Sequence, residues 1–129
     1  MKAVHTVRVP EKAVVHDYLK DYIISNGLRG GVIVGIGGFE YAQLGFLNVA
    51  SKTYVLKEFR GGEEILEVAP ITGNYIVKPD GSVSIHLHAN ISTVEGAIAG
   101  HLLKAVVNPF LELFLIEVGS SVGEVFTHR

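Results

Sequence analysis

An α+β fold, with a mainly antiparallel or mixed β-sheet and one principal amphipathic helix, follows from three features of the sequence. Only Glu11–Asn26 shows a helical repeat of apolar residues. Most of the rest is short β-branched or alternating runs. Tight-turn signals such as Gly61-Gly62 and Pro79-Asp80-Gly81 separate these runs. One helix against many strands joined by short turns gives an antiparallel α+β arrangement. At 129 residues the chain is long enough to bury a real core, and residues 1–129 read as one domain without a linker or internal repeat.

His5-Thr6-Val7-Arg8-Val9 alternates and reads as an opening strand that Pro10 ends. In the helix, Val14, Val15, Tyr18, Leu19, Tyr22 and Ile23 share one face, and Asn26-Gly27 supplies a stop. This helix is expected to lie on the sheet as a lid. Val32–Ile36 reads as a short apolar strand between paired glycines, and Tyr41–Val49 with Lys52–Phe59 as a hairpin. A strand from about Ile65 to Val77 precedes the run Ser82–Ala89. Leu102–Val107 and Phe110–Val118 read as two strands on either side of Asn108-Pro109, and Gly123–Thr127 as a short edge strand. The glycines of Gly30–Gly38 lack the Gly-Lys-Ser/Thr ending of a phosphate loop and do not open a helix. They fit turns and close strand packing, and no cofactor-binding motif is assigned.

The chemistry is concentrated in His86-Leu87-His88. Residues two apart on a strand share a face, so both imidazoles aim at one region. His101, in Ala99-Gly100-His101-Leu102, completes a three-nitrogen cap if the fold brings it across. Such a cap suits zinc or another divalent transition metal and leaves a position for water or a ligand. The same spacing also describes two half-exposed polar residues alternating with the inward Ile85, Leu87 and Ala89. His5, His16 and His128 read as surface residues, the last in a frayed segment. Glu95 lies between the ligand segments and reads as a solvated turn residue, so no catalytic residue is named.

Composition narrows the partners. Apolar residues make up 48% of the chain, more than one small core needs, and this predicts a homo-oligomer. The formal net charge is −2 and the eleven Lys and Arg are scattered, which gives DNA binding little support. With no cysteine there is no disulfide or thiolate chemistry. The N-terminal residues lack the apolar core of a signal peptide, and no run qualifies as a membrane span. A cytoplasmic protein is expected.

Ordered motifs across nearly the whole sequence resemble the PPC (plants-and-prokaryotes-conserved) domain family, also called the PD1-like DNA-binding domain, in its stand-alone prokaryotic form. They are Gly27-Leu28-Arg29-Gly30-Gly31 with the apolar run after it, Ile65–Asn74, Asp80–Ser92 and Gly96–Leu103. The resemblance implies a mixed sheet carrying a helix, assembled as a homotrimer, with a metal usually taken as zinc on His86, His88 and His101. Plant members join this domain to an Arg-Gly-Arg-Pro DNA-binding tract that is missing from this sequence. The chain also departs from the family at Ala99, where many relatives have glycine, and in the turn around Phe59–Leu66. Two functions follow as expectations. One is a trimeric metal-binding protein with metal-assisted hydrolase or lyase chemistry, in which three neutral imidazoles leave the ion's charge to lower the pKa of bound water. The other is a non-enzymatic DNA-binding or partner-binding module with a structural or sensing metal. The substrate or small-molecule ligand is left unassigned.

Overall fold

The computed structural model describes residues 3–128; Met1, Lys2 and Arg129 of the segments read above lie outside the described residues. The order of elements is β1 (Val4–Pro10), α1 (Val15–Ser25), β2 (Gly30–Asn48), β3 (Thr53–Arg60), β4 (Leu66–Val77), β5 (Val83–Thr93), β6 (Gly96–Glu117) and α2 (Ser121–Val125). The strands form one sheet in the order β1-β6-β5-β4-β2-β3, and β2 also pairs with β6, so the sheet closes on itself. Every strand pairing in it is antiparallel, which narrows the expected mainly antiparallel or mixed sheet to the first.

Two long strands organise this closure. The first half of β2 lies beside β4 and its second half beside β3. The first half of β6 lies beside β5 and its second half beside β1, while β2 runs along its other edge. Both strands bend at the same level. The β2 register shifts between Gly35 and Phe39, where Gly37 faces Leu111 and Phe39 faces Val107. β-bulges of this kind increase local twist and turn a strand. The glycines are needed there: a Cβ on Gly35 would stand 2.0 Å from the Glu112 carbonyl oxygen, and one on Gly38 would stand 2.4 Å from that of Asn108.

These bulges correct two expectations. Val32–Ile36 and Tyr41–Val49 are parts of one strand, and Asn108-Pro109 sits within β6 instead of dividing it. A bulge accommodates proline because the paired ladder is already interrupted there. The expected edge strand at Gly123–Thr127 is also corrected. Gly119 (φ +123°) turns the chain off β6, and Ser121–Val125 forms a short helix whose Val122 is buried against Gly30.

Helix α1 carries the expected apolar face but spans Val15–Ser25, shorter than the Glu11–Asn26 expected, because Val14 is extended and bridges Val106. Val15, Leu19 and Ile23 recur every fourth residue and are fully buried, each contributing about 1.5–3 kcal/mol through burial. Gly27 at φ +64° ends the helix, and the amide of Leu28 returns to the Ile23 carbonyl. The helix lies on the inward face of the sheet. His5, expected at the surface, is buried there, with its Nδ1 hydrogen-bonded to the Tyr22 hydroxyl at 2.8 Å. The alternation of β1 makes this necessary, because His5 shares the inward side with Val7 and Val9.

A polar latch joins the start of β2 to the end of β6. The fully buried Tyr75 donates its hydroxyl to Glu117 Oε1 at 2.7 Å, and the Arg29 amide donates to Glu117 Oε2 at 2.9 Å. Burial, then the Glu117 contact, pushes the Tyr75 phenol far above its usual range, so it remains a donor. Gly31 leaves room for it, since a Cβ there would approach the Tyr75 oxygen to 2.7 Å. Tyr75→Phe leaves the carboxylate one donor short. Denaturant unfolding is expected to show a loss of about 1.5–3 kcal/mol with an unchanged m-value.

Candidate metal centre

The sheet opens where β5 and β6 part. β5 and β6 pair from Thr93–Gly96 at their turn to His88–His101, and then separate. Beyond that point β5 continues beside β4, and β6 continues beside β2. The exposed edge of β6 is covered by the approach to α1. The Lys12 amide donates to the Val107 carbonyl, the Val107 amide donates to Ala13, and Val14 bridges Val106. The site lies at this fork.

His86 and His88 point outward from β5 while Leu87 and Ala89 between and beyond them are buried. His101 faces His88 directly across the last β5–β6 pair. The three imidazoles form a near-equilateral triangle, with ring centroids 5.2, 5.2 and 5.5 Å apart. One ligand nitrogen from each lies within 4.8 Å of the others. The fold thus brings together the three histidines singled out in the sequence.

The surroundings favour neutral imidazoles at His88 and His101. Loss of water around the ring, then His86, lowers the pKa of His88; loss of water, then His86 and His88, lowers that of His101. Neutral rings are the form that ligates a metal. The buried Nδ1 of His101 has no hydrogen-bond partner in the protein, so this ring nitrogen is not engaged by the scaffold. Three nitrogens drawn in by less than about 1 Å each would reach zinc–nitrogen distances of about 2.0–2.1 Å. The donor set therefore fits a divalent transition metal and leaves at least one coordination position open.

Close backbone packing and one aromatic ring position the triangle. Gly73 lies opposite Leu87, and a Cβ there would meet the His86 carbonyl oxygen at 1.8 Å. Gly45 lies opposite His101 and makes room for Tyr54, whose ring stacks on His101 with centroids 5.1 Å apart and planes at 20°. Tyr54 was not legible as a site residue, although its hairpin was, because its place depends on β2 pairing with β6.

Two further histidines correct the surface readings given to them. His128 returns to the fork beside His86, with ring centroids 5.6 Å apart. Its Nε2 donates to Asn74 Oδ1, which fixes Nδ1 as the acceptor for the Ser84 hydroxyl at 2.8 Å. With both nitrogens engaged, it forms part of the wall and is not a fourth ligand. His16 on α1 borders the same cavity as His86 and His101, and its buried Nδ1 has no partner. Its position next to the buried stripe of the helix was a weak signal; His128 gave none, because its contacts lie 44 and 54 residues away. Glu95 is exposed in the turn joining β5 to β6, five residue pairs or roughly 17 Å along the strands from His88. It is not part of the site.

Burial, then Lys20 and His101, lowers the His16 pKa to about 4. An unfolded chain takes up this proton near pH 6.5, whereas the folded chain does so only near 4. Stability contributed by neutral His16 is therefore present above pH 6.5 and is lost as pH falls toward 4. Thermal melts of chelator-treated protein between pH 7.5 and 4.5 should show this decline. The decline should be shallower in His16→Gln.

The chain is similar to several known proteins. A family model described as the Plants and Prokaryotes Conserved (PCC) domain matches residues 1–119. No curated protein matches the chain. Among crystal structures, a candidate DNA-binding protein from Bacteroides thetaiotaomicron is 28% identical with a TM-score of 0.82, over 92% of this chain and 80% of that one. A plant- and prokaryote-conserved protein from Pyrococcus horikoshii is 28% identical with a TM-score of 0.81, over 90% and 78%. A metal-containing protein from Archaeoglobus fulgidus has the same fold at 23% identity, TM-score 0.81, over 92% and 81%.

Proposed function

The chain belongs to the Plants and Prokaryotes Conserved domain family, and from that premise we propose that it is a homotrimeric metal-binding protein. His86, His88 and His101 are the proposed ligands and zinc the preferred ion. The observation that carries this reading is the convergence of three imidazoles at the fork, with one ligand nitrogen of each within 4.8 Å of the others. The metal-containing relative from Archaeoglobus fulgidus supports it.

When bound there, such an ion supplies Lewis acidity toward a ligand oxygen, and this suits hydrolase or lyase chemistry. The protein's own residues would do the rest. Tyr54 holds His101 by stacking, Gly73 lets β4 lie close under His86, and His128 with Asn74 and Ser84 walls the site. We name no catalytic acid or base. The second reading is a DNA-binding or partner-binding module with a structural metal. The name of the Bacteroides relative favours it, but the chain's net charge of −2 does not.

Self-association is supported by the outward side of the sheet, while the count of three comes from the family resemblance. Val4, Ile116 and Val32 sit side by side across β1, β6 and β2, and Phe114 lies two residues along β6 on the same face. Phe114 is 50% exposed and Ile36, farther along β2, 55%. A row of large apolar side chains on one face is the kind of surface that subunits bury. We take residues 1–129 as one domain acting in the cytoplasm. Among the described residues no helix is long and apolar enough to cross a membrane.

Elemental analysis of tag-free protein should find about one zinc or similar ion per chain. The ion should be lost in His86→Ala/His88→Ala and in His101→Ala while the solution mass stays that of a trimer. Wild-type protein that takes up no added zinc would overturn the metal reading. Phe114→Glu should shift the mass toward that of a monomer by light scattering, because a charge cannot be buried unpaired in an apolar interface without large cost. An unchanged mass would remove this face from the interface.

A further inference from the structure

A cavity of about 590 Å³ adjoins the histidine triangle, within the size range of small-molecule sites. Its lining is uneven in charge. Lys52, His16, His86, His101 and His128 border it, and among the described residues no aspartate or glutamate does. The remaining wall is mostly aliphatic, from Leu47, Ile85, Leu102 and Leu103. A cavity lined by both cationic or imidazole groups and aliphatic carbon, with no carboxylate among the described lining residues, suits an amphipathic anion.

Lys52 is held in place by an uncommon backbone. It lies in the β2–β3 turn at φ +58°, a left-handed conformation that glycine or asparagine adopts at lower cost. Its amide donates to the Asn48 carbonyl at 2.8 Å, and Asn48 Oδ1 accepts from the amides of Ala50 and Ser51. The turn thus keeps a lysine where glycine would be easier, and this lysine lines the cavity. On the α1 side of the cavity, His16 offers a buried ring nitrogen with no protein partner.

We propose that this cavity binds a small organic carboxylate with a short aliphatic arm, its charge met by Lys52 and the metal centre and its arm by the leucine–isoleucine wall. The inference rests on the metal reading above and names the class of ligand for that site. Inorganic phosphate shares the charge but has no use for the aliphatic wall, so the two anions can be told apart.

The test uses the full chain loaded with cobalt(II), whose visible spectrum reports changes at the ion, together with calorimetry. The probes are pentanoate, its uncharged analogue pentanamide, and inorganic phosphate. Pentanoate is expected to perturb the cobalt spectrum and to bind at least roughly tenfold more tightly than either control. Lys52→Gly should weaken pentanoate by roughly tenfold, with cobalt content unchanged and a melting temperature equal to or above wild type, because the left-handed strain is relieved. Pentanoate binding no tighter than pentanamide, phosphate binding as tight as pentanoate, or equal pentanoate affinity in Lys52→Gly would each overturn the proposal. The metal reading fails separately, if His86→Ala/His88→Ala retains as much cobalt as wild type. The same titrations on metal-free chain then decide the matter. A Lys52-dependent preference for pentanoate over pentanamide supports carboxylate recognition, and equal responses overturn it.

Discussion

The matched bend of β2 and β6 is the constraint on which the rest of the molecule depends. Each strand belongs to two neighbourhoods: β2 passes from β4 to β3 across its bulge, whereas β6 leaves β5 at His101, beside a further register shift at Gln43/Leu44, and takes up β1 from Phe110. β5 and β6 part beyond His88 and His101, where β6 stays with β2 and β5 stays with β4. That separation creates the fork, admits the approach to α1, and leaves imidazoles at the rim where backbone pairing ends. Glycine is required at the bend because opposing carbonyl oxygens occupy the space a side chain would take.

Much of this was legible in the sequence where the signal was local. The spacing of Val15, Leu19 and Ile23 marked the helix, Asp80-Gly81 marked a turn, and the two-residue spacing of His86 and His88 set them on one face. What escaped was whatever depended on distant pairing. Gly30–Gly38 was read as permitting close strand packing, as it does, but that β2 continues through it could not be seen without β6 alongside. Asn108-Pro109 signalled a break because proline lacks a ladder donor, yet the bulge had already absorbed that loss. His5 looked like a surface residue because its burial partner is a tyrosine on the helix. His16 and His128 gained their places only when the fork existed.

The polar groups of the fork and of the Glu117 latch divide into those the protein satisfies and those it leaves open. His128 is held at both nitrogens, and Glu117 receives a phenol and backbone amides; these groups stiffen the frame. His101 and His16 each keep a buried nitrogen without a protein partner. Buried polar atoms are seldom left that way in a folded protein, and both sit on the same cavity. The distinction separates scaffold from site more sharply than residue type does, since all of these but Glu117 are histidines.

The β5–β6 hairpin has an arithmetic consequence. From the Thr93–Gly96 pair at the turn to the His88–His101 pair at the rim, both strands count five steps, and side chains change face at every step. Parity therefore decides which group meets His88. One residue added to β6 between Gly96 and His101, with the turn held in place, would put Gly100 opposite His88 and swing the imidazole of His101 through the sheet. Two added residues would restore the outward face but set His101 two positions beyond His88. The hairpin works as a ruler with a single usable length, cut to place one nitrogen.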